Sequence, residues 1–478
     1  MKILLVRTKR IPQAITLSDI MFSEPVGLEI LYGVLKNDHD VEIFDMMCED
    51  TPLTTKLKEI NPDLVGFTSL CIDVHQVIKG AKEVKAYNSS VRVVVGGTQA
   101  YLNPDAFFHD AIDAVFHYTT KKNLLSYFNE GIPTKGVLIK KDGYKIPASD
   151  NVMIEIMNEE TTIDGSRNCE HEEIDLNEAL LPDRSSTEKY RKYYSYFGYK
   201  PAAIMQISRG CNKQCNFCLR WRIEGCREQE LDREMIEEDL RQIKEDTIMF
   251  YDNDILGSEE RVQRVIEIFG GLKRKKNLIA YASVAGILNH EKSLKTLQNA
   301  GLKALLVGYE SFKDEEMVRY RKKSRVKDNY KAADLLKEVG IDVWASFMAH
   351  PDWDKEDFKS FRRYVKELRP EISSVSPLTP FPNLPLYAEY KSRLLFEKED
   401  YEKWSFGQVT VLPGKISLKD YYREMLKTNL YINLILNRPT MMLKKYGIKR
   451  MMSLTVGSAK SFFKYRNLMQ NARDRKTS

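Results

Sequence analysis

The sequence predicts an α/β protein with two successive regions of alternating strands and helices, followed by a helical C-terminal segment. Two observations carry this prediction. Short apolar runs alternate with helical patterns over residues 1–132, and a second alternation of the same kind begins at Ala203. Such alternation is typical of parallel sheets, because each strand is followed by a helix that covers one face of the sheet. We expect a doubly wound parallel sheet first and a partial (β/α)6 barrel second.

The length and composition of the chain fit a multidomain enzyme. At 478 residues and 43% hydrophobic content, the chain can bury several cores. Its seven cysteines are odd in number and unevenly spaced, so they do not indicate a disulfide framework. The N-terminus enters an apolar strand pattern without a signal peptide, and no apolar run reaches the roughly 18 residues of a membrane span. We therefore expect a protein of the reducing cytoplasm.

Residues 1–132 form the first predicted domain. Doubly wound sheets bind ligands at the carboxyl ends of their strands, where small residues let a ligand approach the backbone. Thr68 and Ser69 lie at the carboxyl end of the third predicted strand, and Gly96 and Gly97 follow the fourth, so these residues are expected to line a ligand site. The predicted strands lie at residues 3–6, 41–45, 63–70, 91–95 and 114–118.

Residues 133–200 are predicted to be a connector between the two domains. Within it, residues 158–175 are rich in Glu, Asp, Asn and Thr and poor in large apolar side chains, which is typical of a surface loop. We expect Cys169 and His171 in this loop to be solvated rather than to bind a metal.

Residues 201–390 form the second predicted domain, and residues 391–478 form a helical, basic C-terminal region. Six consecutive strand and helix units predict a partial barrel whose chemistry lies at the carboxyl ends of the strands. The predicted strands lie at residues 203–208, 247–254, 278–286, 304–310, 342–350 and 373–379.

Three cysteines follow the first strand of the barrel with the spacing C-x3-C-x2-C, at Cys211, Cys215 and Cys218. Three thiolates can hold three irons of a [4Fe–4S] cluster and leave the fourth iron open for a chelating ligand. The alternative is a zinc knuckle with Cys226 as fourth ligand. Zinc sites usually pair their cysteines in C-x2-C blocks separated by a longer spacer, which this spacing does not provide.

The cysteine motif, with the aromatic Phe217 before its third cysteine, resembles that of the radical S-adenosylmethionine (SAM) enzymes. In that family the amino and carboxylate groups of SAM chelate the open iron, and reductive cleavage yields a 5′-deoxyadenosyl radical. Two further segments resemble SAM-binding segments of the family: residues 250–254, after the second strand, and residues 308–311, after the fourth. The resemblance implies that SAM is contacted by Phe217, Asp252, Asp254, Glu310 and Ser311.

The alternatives for these strand ends are an ordinary turn for residues 250–254 and a structural carboxylate for Glu310. Tyr251 and His350, at the predicted barrel mouth, are candidates for a catalytic group, because a His there can donate a proton or anchor a substrate. A structural role for His350 remains open.

The first domain resembles cobalamin-binding domains in the spacing of its turns. Gly27, the 68–70 turn and the Gly96–Gly97 pair follow the family's G, S-x-L and G-G positions to within a residue. The resemblance implies that Gly27, Thr68, Ser69, Gly96 and Gly97 contact cobalamin. Phe22 and Glu24 stand where that motif has Asp and His, so a bound cobalamin is expected to lack the usual imidazole ligand. A domain that binds nothing is the alternative.

Together the two resemblances imply a cobalamin-dependent radical SAM enzyme, similar to the hopanoid, bacteriochlorophyll and antibiotic C-methylases. Residues 377–387 also resemble the proline-rich loop of that group, with Asn383 in place of a Gly. The resemblance implies methyl transfer from methylcobalamin to an unactivated carbon of a small-molecule, lipid or peptide substrate, with flavodoxin or ferredoxin as electron donor. A radical SAM cyclase, oxidase or coupling enzyme is the first alternative, and a zinc-stabilised interaction module is a remote one.

The C-terminal region is strongly basic. Residues 438–478 contain eleven Lys or Arg and one acidic residue, Asp474, interleaved with Met, Leu, Ile and Phe. This combination suits the surface of an anionic membrane. An amphipathic helix packed on the barrel with a solvated basic face is the alternative. No RNA-binding module is recognisable, so nucleic acid is not expected as a partner.

Overall fold

The structure is a computed structural model that describes residues 1–11, 21–140, 180–437 and 439–472. These residues form two six-stranded sheets, joined by the connector and followed by a helical C-terminal region. The predicted fold class is confirmed. The expected loop at residues 158–175, with Cys169 and His171, lies outside the described residues.

The N-terminal half contains a doubly wound sheet. Its strands lie in the order β3-β1-β4-β5-β6-β7, all parallel except β7, which pairs antiparallel with β6. The strand order reverses between β1 and β4, the point at which such sheets bind ligands. The strands of this half are β1 (Lys2–Arg7), β2 (Met21–Phe22), β3 (Asp40–Asp45), β4 (Leu64–Thr68), β5 (Arg92–Gly96), β6 (Ala114–Phe116) and β7 (Val137–Ile139).

Both faces of this sheet are covered by helices. Leu4 and Val6 pack into the core on one face, whereas Ile3 and Leu5 pack into the core on the other, as the two-residue period of a strand requires. Strands buried on both faces explain the continuous apolar runs of the sequence. The helices of this half are Val26–Leu35, Leu53–Ile60, Val74–Tyr87, Thr98–Leu102 and Lys121–Leu125.

The connector links the two sheets and closes one end of the barrel. Residues Arg184–Tyr193 form 3-10 turns, and β8 (Ser195–Tyr196) pairs with β2. Phe197 then packs against Trp344, with ring centroids 4.3 Å apart, in a cluster of inward-facing barrel residues. The connector therefore fills the end of the barrel opposite the site.

The second sheet is an open barrel of six parallel strands in the order β9-β12-β13-β14-β15-β16. A small hairpin of β10 and β11 flanks the cysteine loop. The strands are β9 (Ala203–Met205), β10 (Ser208–Arg209), β11 (Gln229–Glu230), β12 (Thr247–Phe250), β13 (Asn277–Ala282), β14 (Leu302–Glu310), β15 (Asp342–Ala349) and β16 (Ile372–Pro377).

Amphipathic helices cover the outside of the barrel. In the helix Lys355–Leu368, the Asp354 side chain caps the backbone N–H groups of Glu356 and Asp357, and the residues buried against the strands recur at helical spacing. The helices are Arg220–Glu224, Arg233–Gln242, Glu259–Gly270, Val284–Asn289, Leu294–Ala300, Asp314–Arg319, Val326–Val339, Lys355–Leu368 and Pro385–Tyr390.

The C-terminal region consists of the helix Leu418–Leu430, a π-helical turn at Tyr431–Leu436 and the helical segment Pro439–Asn471, which is broken at Gly447. Tyr465 packs against Tyr422 of the first of these helices, so the last segment is docked on the barrel. Among the described residues, no helix combines the length and the apolarity needed to cross a bilayer.

Candidate active site

The carboxyl ends of the two sheets face each other across one interface. The helix Thr98–Leu102, which follows β5, contacts the helix Arg220–Glu224, which follows the cysteine loop, and the Tyr101 hydroxyl donates to the carbonyl of Arg222 at 3.1 Å. Asn383 of the loop after β16 donates to the carbonyl of Leu102 at 3.2 Å. Ligands at the two sheets would therefore meet at this interface.

The cysteine loop lies between the hairpin strand β10 and the helix Arg220–Glu224. The Trp221 indole donates to the carbonyl of Cys215 at 2.9 Å, and the N–H of Cys218 donates to the same carbonyl at 3.1 Å. The N–H of Cys211 donates to the carbonyl of Gly225 at 3.0 Å. These bonds hold the loop in one conformation at the barrel mouth.

The three thiols are suited to a metal that displaces their protons. Burial raises the pKa of Cys211 and Cys215, and it raises the pKa of Cys218 to about 12. Thiols of this kind stay neutral until a metal ion stabilises the thiolate. The donor set, three cysteines on one short loop with Cys215 buried and the other two partly buried, fits a cluster with an open iron.

The arrangement of the cysteines does not favour the alternative, a zinc site with Cys226 as fourth ligand. Cys226 lies eight residues beyond Cys218, so the four cysteines do not form the paired C-x2-C blocks of a zinc site. Within the described ranges, no three His, Cys, Asp or Glu side chains gather closely enough to hold one metal ion. The ligands of a four-iron cluster each bind a different iron and so lie further apart than ligands of a single zinc.

Asp252, after β12, is buried and engaged with the start of the barrel. Its carboxylate accepts from the Ser208 hydroxyl at 2.6 Å and from the N–H of Ile207 at 3.1 Å. Burial raises the pKa of Asp252 to about 6. These contacts give Asp252 a role in positioning the segment that leads into the cysteine loop, and its contact with SAM stays a prediction.

Asp254 and Asn253 hold the cysteine loop from the same segment. The Asp254 carboxylate accepts from Lys213 of the loop at 2.5 Å and from the Ser283 hydroxyl at 2.6 Å. Asn253 donates to the carbonyl of Gly210 at 2.7 Å. The segment that resembles a SAM-binding motif is therefore also the support of the loop, and a SAM contact of Asp254 stays a prediction.

Glu310 ends β14 with a left-handed backbone, at φ 62°. An ideal Cβ on Gly308 would lie 2.3 Å from its carboxylate oxygen, so the Glu310 side chain packs directly over Gly308. The carboxylate pairs with Lys322 at 2.9 Å. A residue held in a rare conformation by a bulge in β14 is typical of a functional position, and its SAM contact stays a prediction.

Lys322 is a functional candidate that the sequence did not reveal. Burial opposes the charge of this ammonium, but Glu310 and the thiols of Cys215 and Cys218 outweigh burial and raise the pKa of Lys322. The ammonium also lies 6.0 Å from the ring centroid of Phe217. Within a run of basic residues such as 321–323, the sequence gives no sign that one of them turns inward.

Phe217 forms part of an apolar wall beside the cysteine loop. Its ring meets that of Tyr320 edge-on, with centroids 5.7 Å apart, and it packs against a cluster that includes Met348 and Leu378. Ser311, in contrast, donates its hydroxyl to Glu316 below the end of β14. Phe217 is therefore placed to exclude water from the site, whereas Ser311 has a structural partner and its SAM contact stays a prediction.

His350 and Tyr251 lie at the barrel mouth, as predicted. The Nδ1 atom of His350 accepts from the N–H of Asp352 at 3.1 Å, and its Nε2 atom bonds the Tyr390 hydroxyl at 3.0 Å. Burial lowers the pKa of His350 to about 4, so the imidazole is neutral. Both ring nitrogens have partners, which favours a structural role. Burial raises the pKa of Tyr251, whose catalytic role also stays a prediction.

The glycine turn and the 68–70 turn form one cradle at the end of the first sheet. Thr68 and Gly96 are paired in register, and the N–H of Ser69 donates to the carbonyl of Gly96 at 3.0 Å. Gly97 has φ 95°, and a Cβ there would lie 2.8 Å from the Thr68 hydroxyl. The cradle leaves the backbone of Gly97 exposed at the carboxyl ends of β4 and β5. Gly27 is the second residue of the helix Val26–Leu35, and a Cβ on it would meet no atom within 4 Å. The cobalamin contacts of Gly27 and of the cradle stay predictions.

Glu24, where the cobalamin motif has its histidine, is buried in an ion network. Its carboxylate accepts from Arg184 at 2.7 Å and from the backbone N–H of Ile204 at 2.7 Å, and it also binds Arg191. Both oxygens of Glu24 are thereby used to join the first domain to the connector and to the first barrel strand. The position is structural, and the chain supplies no imidazole there.

Comparisons with known proteins agree with this architecture. The radical SAM superfamily model matches residues 205–365, and the B12 binding domain model matches residues 19–123. The hopanoid C-3 methylase of Methylococcus capsulatus is 27% identical over 85% of this chain and 75% of its own length. The anaerobic magnesium-protoporphyrin IX monomethyl ester cyclase of Rubrivivax gelatinosus is 23% identical over 80% of this chain and 68% of its own length.

Among solved structures, the radical SAM methyltransferase TsrM of Kitasatospora setae, with cobalamin and a [4Fe–4S] cluster bound, superposes with a TM-score of 0.68. The match covers 98% of this chain and 99% of that one at 14% identity, and it shows a shared fold. Both family models match in the order of the two sheets described above. The chain therefore contains a B12 binding domain followed by a radical SAM domain, and it is a radical SAM enzyme with a [4Fe–4S] cluster, SAM and cobalamin as cofactors.

Proposed function

We propose that this enzyme transfers a methyl group to an unactivated carbon atom of an apolar substrate that it reaches at an anionic membrane surface. The observation that carries the proposal is the interface itself, at which the ligand-binding ends of both sheets face each other. When bound, the cluster and SAM supply the radical chemistry that breaks a C–H bond, and cobalamin supplies the methyl group. The chain must bring these groups to one substrate and exclude water.

The barrel side of the interface would hold the cluster and SAM. Cys211, Cys215 and Cys218 would bind three irons from a loop fixed by backbone hydrogen bonds. Glu310 and Lys322, an ion pair beside that loop, would orient the polar end of SAM. Asp252, Asp254 and Ser311 would act mainly by holding the strand ends in place. A flavodoxin or ferredoxin would supply the electron.

The first domain would hold cobalamin through the cradle formed by Thr68, Ser69, Gly96 and Gly97. The close approach of the two turns exposes backbone at the sheet edge, which suits a large planar ligand lying across it. Glu24 cannot bind cobalt while it is paired with arginines, so we expect one face of the ring to carry no side-chain ligand from this position.

An apolar stripe on the C-terminal helical segment supports access to a membrane. Ile448, Met452, Val456 and Phe463 are all more than half exposed, and at helical spacing they fall within a sector of about 80°. Tyr465 on another face packs against the barrel. A helix that only packed on the barrel would not need an exposed apolar stripe as well.

The basic residues of the C-terminal helical segment indicate which kind of surface the apolar stripe would contact. Exposed basic residues, such as Lys444 and Arg466, flank the stripe, and residues 438–478 carry eleven basic groups against one acid. An anionic bilayer satisfies both the apolar stripe and the charge. A substrate dissolved in that bilayer would then lie close to the active site.

Methyl transfer can be tested with SAM that carries an isotopic label in its methyl group. The anaerobically reconstituted enzyme is incubated with a reductant and a lipid extract of the host, and the products are analysed by mass spectrometry. We expect the labelled methyl group in a lipid-soluble product. A cyclase, as in the Rubrivivax relative, would consume SAM and convert its substrate to a product that carries no labelled methyl group.

A further inference from the structure

Arg222 is a buried cation with two unpartnered guanidinium nitrogens. It is only 7% exposed, and its Nε and Nη2 atoms have no hydrogen-bond partner among the described residues. The guanidinium carbon lies 4.6 Å from the ring centroid of Trp221. Burial lowers the pKa of Arg222 to about 10. A buried guanidinium with unused donors is costly, so its persistence requires an explanation.

The position of Arg222 indicates where a ligand for its unpartnered N–H groups would lie. It lies on the helix that follows the cysteine loop, and its carbonyl accepts from Tyr101, on the helix that begins directly after Gly97. The nearest acid along the chain, Glu224, pairs with Arg220 at 2.8 Å instead. The Tyr101 hydroxyl also interacts electrostatically with the Arg222 guanidinium, which places this side chain beside the helix that follows the glycine turn.

A second unpartnered polar atom, Oδ1 of Asn383, belongs to a side chain that contacts the helix Thr98–Leu102. Asn383 donates its amide nitrogen to the carbonyl of Leu102, so the other amide atom is an acceptor, and this Oδ1 atom is buried without a partner in the described part of the chain. Asn383 has φ 75°, a conformation that Gly and Asn tolerate best. Asn therefore keeps the backbone of a glycine at this position and adds an amide.

We propose that Arg222 and Asn383 bind the carboxamide side chains on the rim of the corrin ring. Arg222 offers only donors, and the free atom of Asn383 is an acceptor. A primary carboxamide has a carbonyl oxygen for the first and an NH2 group for the second. A phosphate or carboxylate would satisfy Arg222 but would offer no donor to Asn383.

The inference rests on the binding of cobalamin at this interface, and it is tested by titration of cobalamin-free enzyme. Hydroxocobalamin and cobinamide are compared, because cobinamide keeps the carboxamides but lacks the nucleotide with its phosphate. For Arg222→Met, which keeps the side-chain stem on Trp221, we expect affinity for both ligands to fall about 10- to 100-fold. For Asn383→Gly we expect a smaller loss for both, of roughly three- to tenfold.

Thermal unfolding provides a second readout. Cobalamin-free Arg222→Met should melt at the same temperature as wild type or higher, because the variant removes an uncompensated buried charge. The rise in melting temperature on adding cobalamin should shrink with the lost affinity. A residue with a purely structural role would show the reverse, a lower melting temperature and an unchanged shift. Arg241→Gln, in an exposed arginine, is the control.

The possible outcomes distinguish a failure of the proposed function from a failure of the carboxamide contact alone. Wild-type enzyme that fails to bind cobalamin would contradict the proposed function and this inference with it. Wild-type binding with unchanged affinity in both variants would overturn the inference alone. Loss of affinity for hydroxocobalamin without loss for cobinamide would assign Arg222 to the phosphate and would also overturn it.

Discussion

At the scale of single residues, the cluster ligands follow from spacing, whereas the groups around them do not. The spacing of Cys211, Cys215 and Cys218 and the aromatic Phe217 are visible in the sequence. Lys322 became a candidate only through its contacts, since its partner Glu310 lies in a different element and nothing local marks it as buried. Asp252, Asp254 and Ser311 were predicted to contact SAM from motif position, but the structure gives each of them a protein partner.

We predict that Ala at any one of Cys211, Cys215 or Cys218 abolishes the cluster and SAM cleavage, because each thiolate holds its own iron. Cys226→Ala should leave both largely intact, since SAM and not a fourth thiolate completes the cluster site. Iron content and the yield of 5′-deoxyadenosine measure the two effects. Loss of iron in the Cys226 variant would show that the ligand set is wrong.

A second residue-scale prediction concerns Lys322. A cation beside the cluster favours the reduced, more negative state, so Lys322→Met should lower the reduction potential of the cluster. A redox titration followed by electron paramagnetic resonance measures the change. Lys323→Met, in the adjacent exposed lysine, should leave the potential unchanged. Equal potentials in both variants would exclude Lys322 from the cluster environment.

At the scale of elements, the alternation of apolar runs was sufficient to find the long strands of both sheets. The two-residue strands β2, β8, β10 and β11 were missed, because two residues carry no periodic pattern. The antiparallel strand β7 was also missed, and the first sheet extends to Ile139, beyond the boundary predicted at residue 132. β7 covers the edge of β6. Its formation depends on this pairing and not on a pattern in the local sequence.

The C-terminal segment gives the element-scale prediction. Replacing Ile448, Met452, Val456 and Phe463 together by Ser should weaken co-sedimentation with anionic vesicles, because the apolar stripe is lost while the charge remains. High salt should release the wild-type protein, since each basic group contributes about 1 kcal/mol near the surface and is screened.

The control for this experiment is Ile132→Ser, which alters an exposed apolar residue of the first domain. Neutral vesicles should not bind either protein. If wild-type protein does not bind anionic vesicles, or if the quadruple variant binds them as tightly as wild type, the stripe is not a membrane contact and the proposal of a bilayer-dissolved substrate fails.

At the scale of the whole molecule, the two domains are joined by buried charges that no local pattern predicts. Glu24 and Arg184 are 160 residues apart in sequence, yet both side chains are almost fully buried and lie 2.7 Å apart. Arg184 also binds Asp239 of the barrel at 2.6 Å. The sequence placed Glu24 only as a departure from a cobalamin motif, because its partners are set by the tertiary fold.

We predict that Arg184→Met lowers the free energy of unfolding by about 3–5 kcal/mol, because Asp239 would remain buried without its cation and Glu24 would keep only Arg191. Urea unfolding of the cofactor-free protein measures this loss. Lys36→Met, which breaks a partly exposed pair with Asp183, should cost less than about 1 kcal/mol. Similar small losses in both variants would contradict the assigned role of the buried network.

The claim that the cofactors of the two sheets meet at one interface is tested most directly by electron paramagnetic resonance of enzyme loaded with both. Cob(II)alamin and the reduced cluster are both paramagnetic, so nearby centres broaden each other's signals and speed their relaxation. We predict that reducing the cluster changes the cob(II)alamin signal in this way, and that Cys211→Ala, which removes the cluster, abolishes the change. A cob(II)alamin signal that is the same with oxidised and reduced cluster would contradict the account, because the two cofactors would then lie too far apart to act on one substrate.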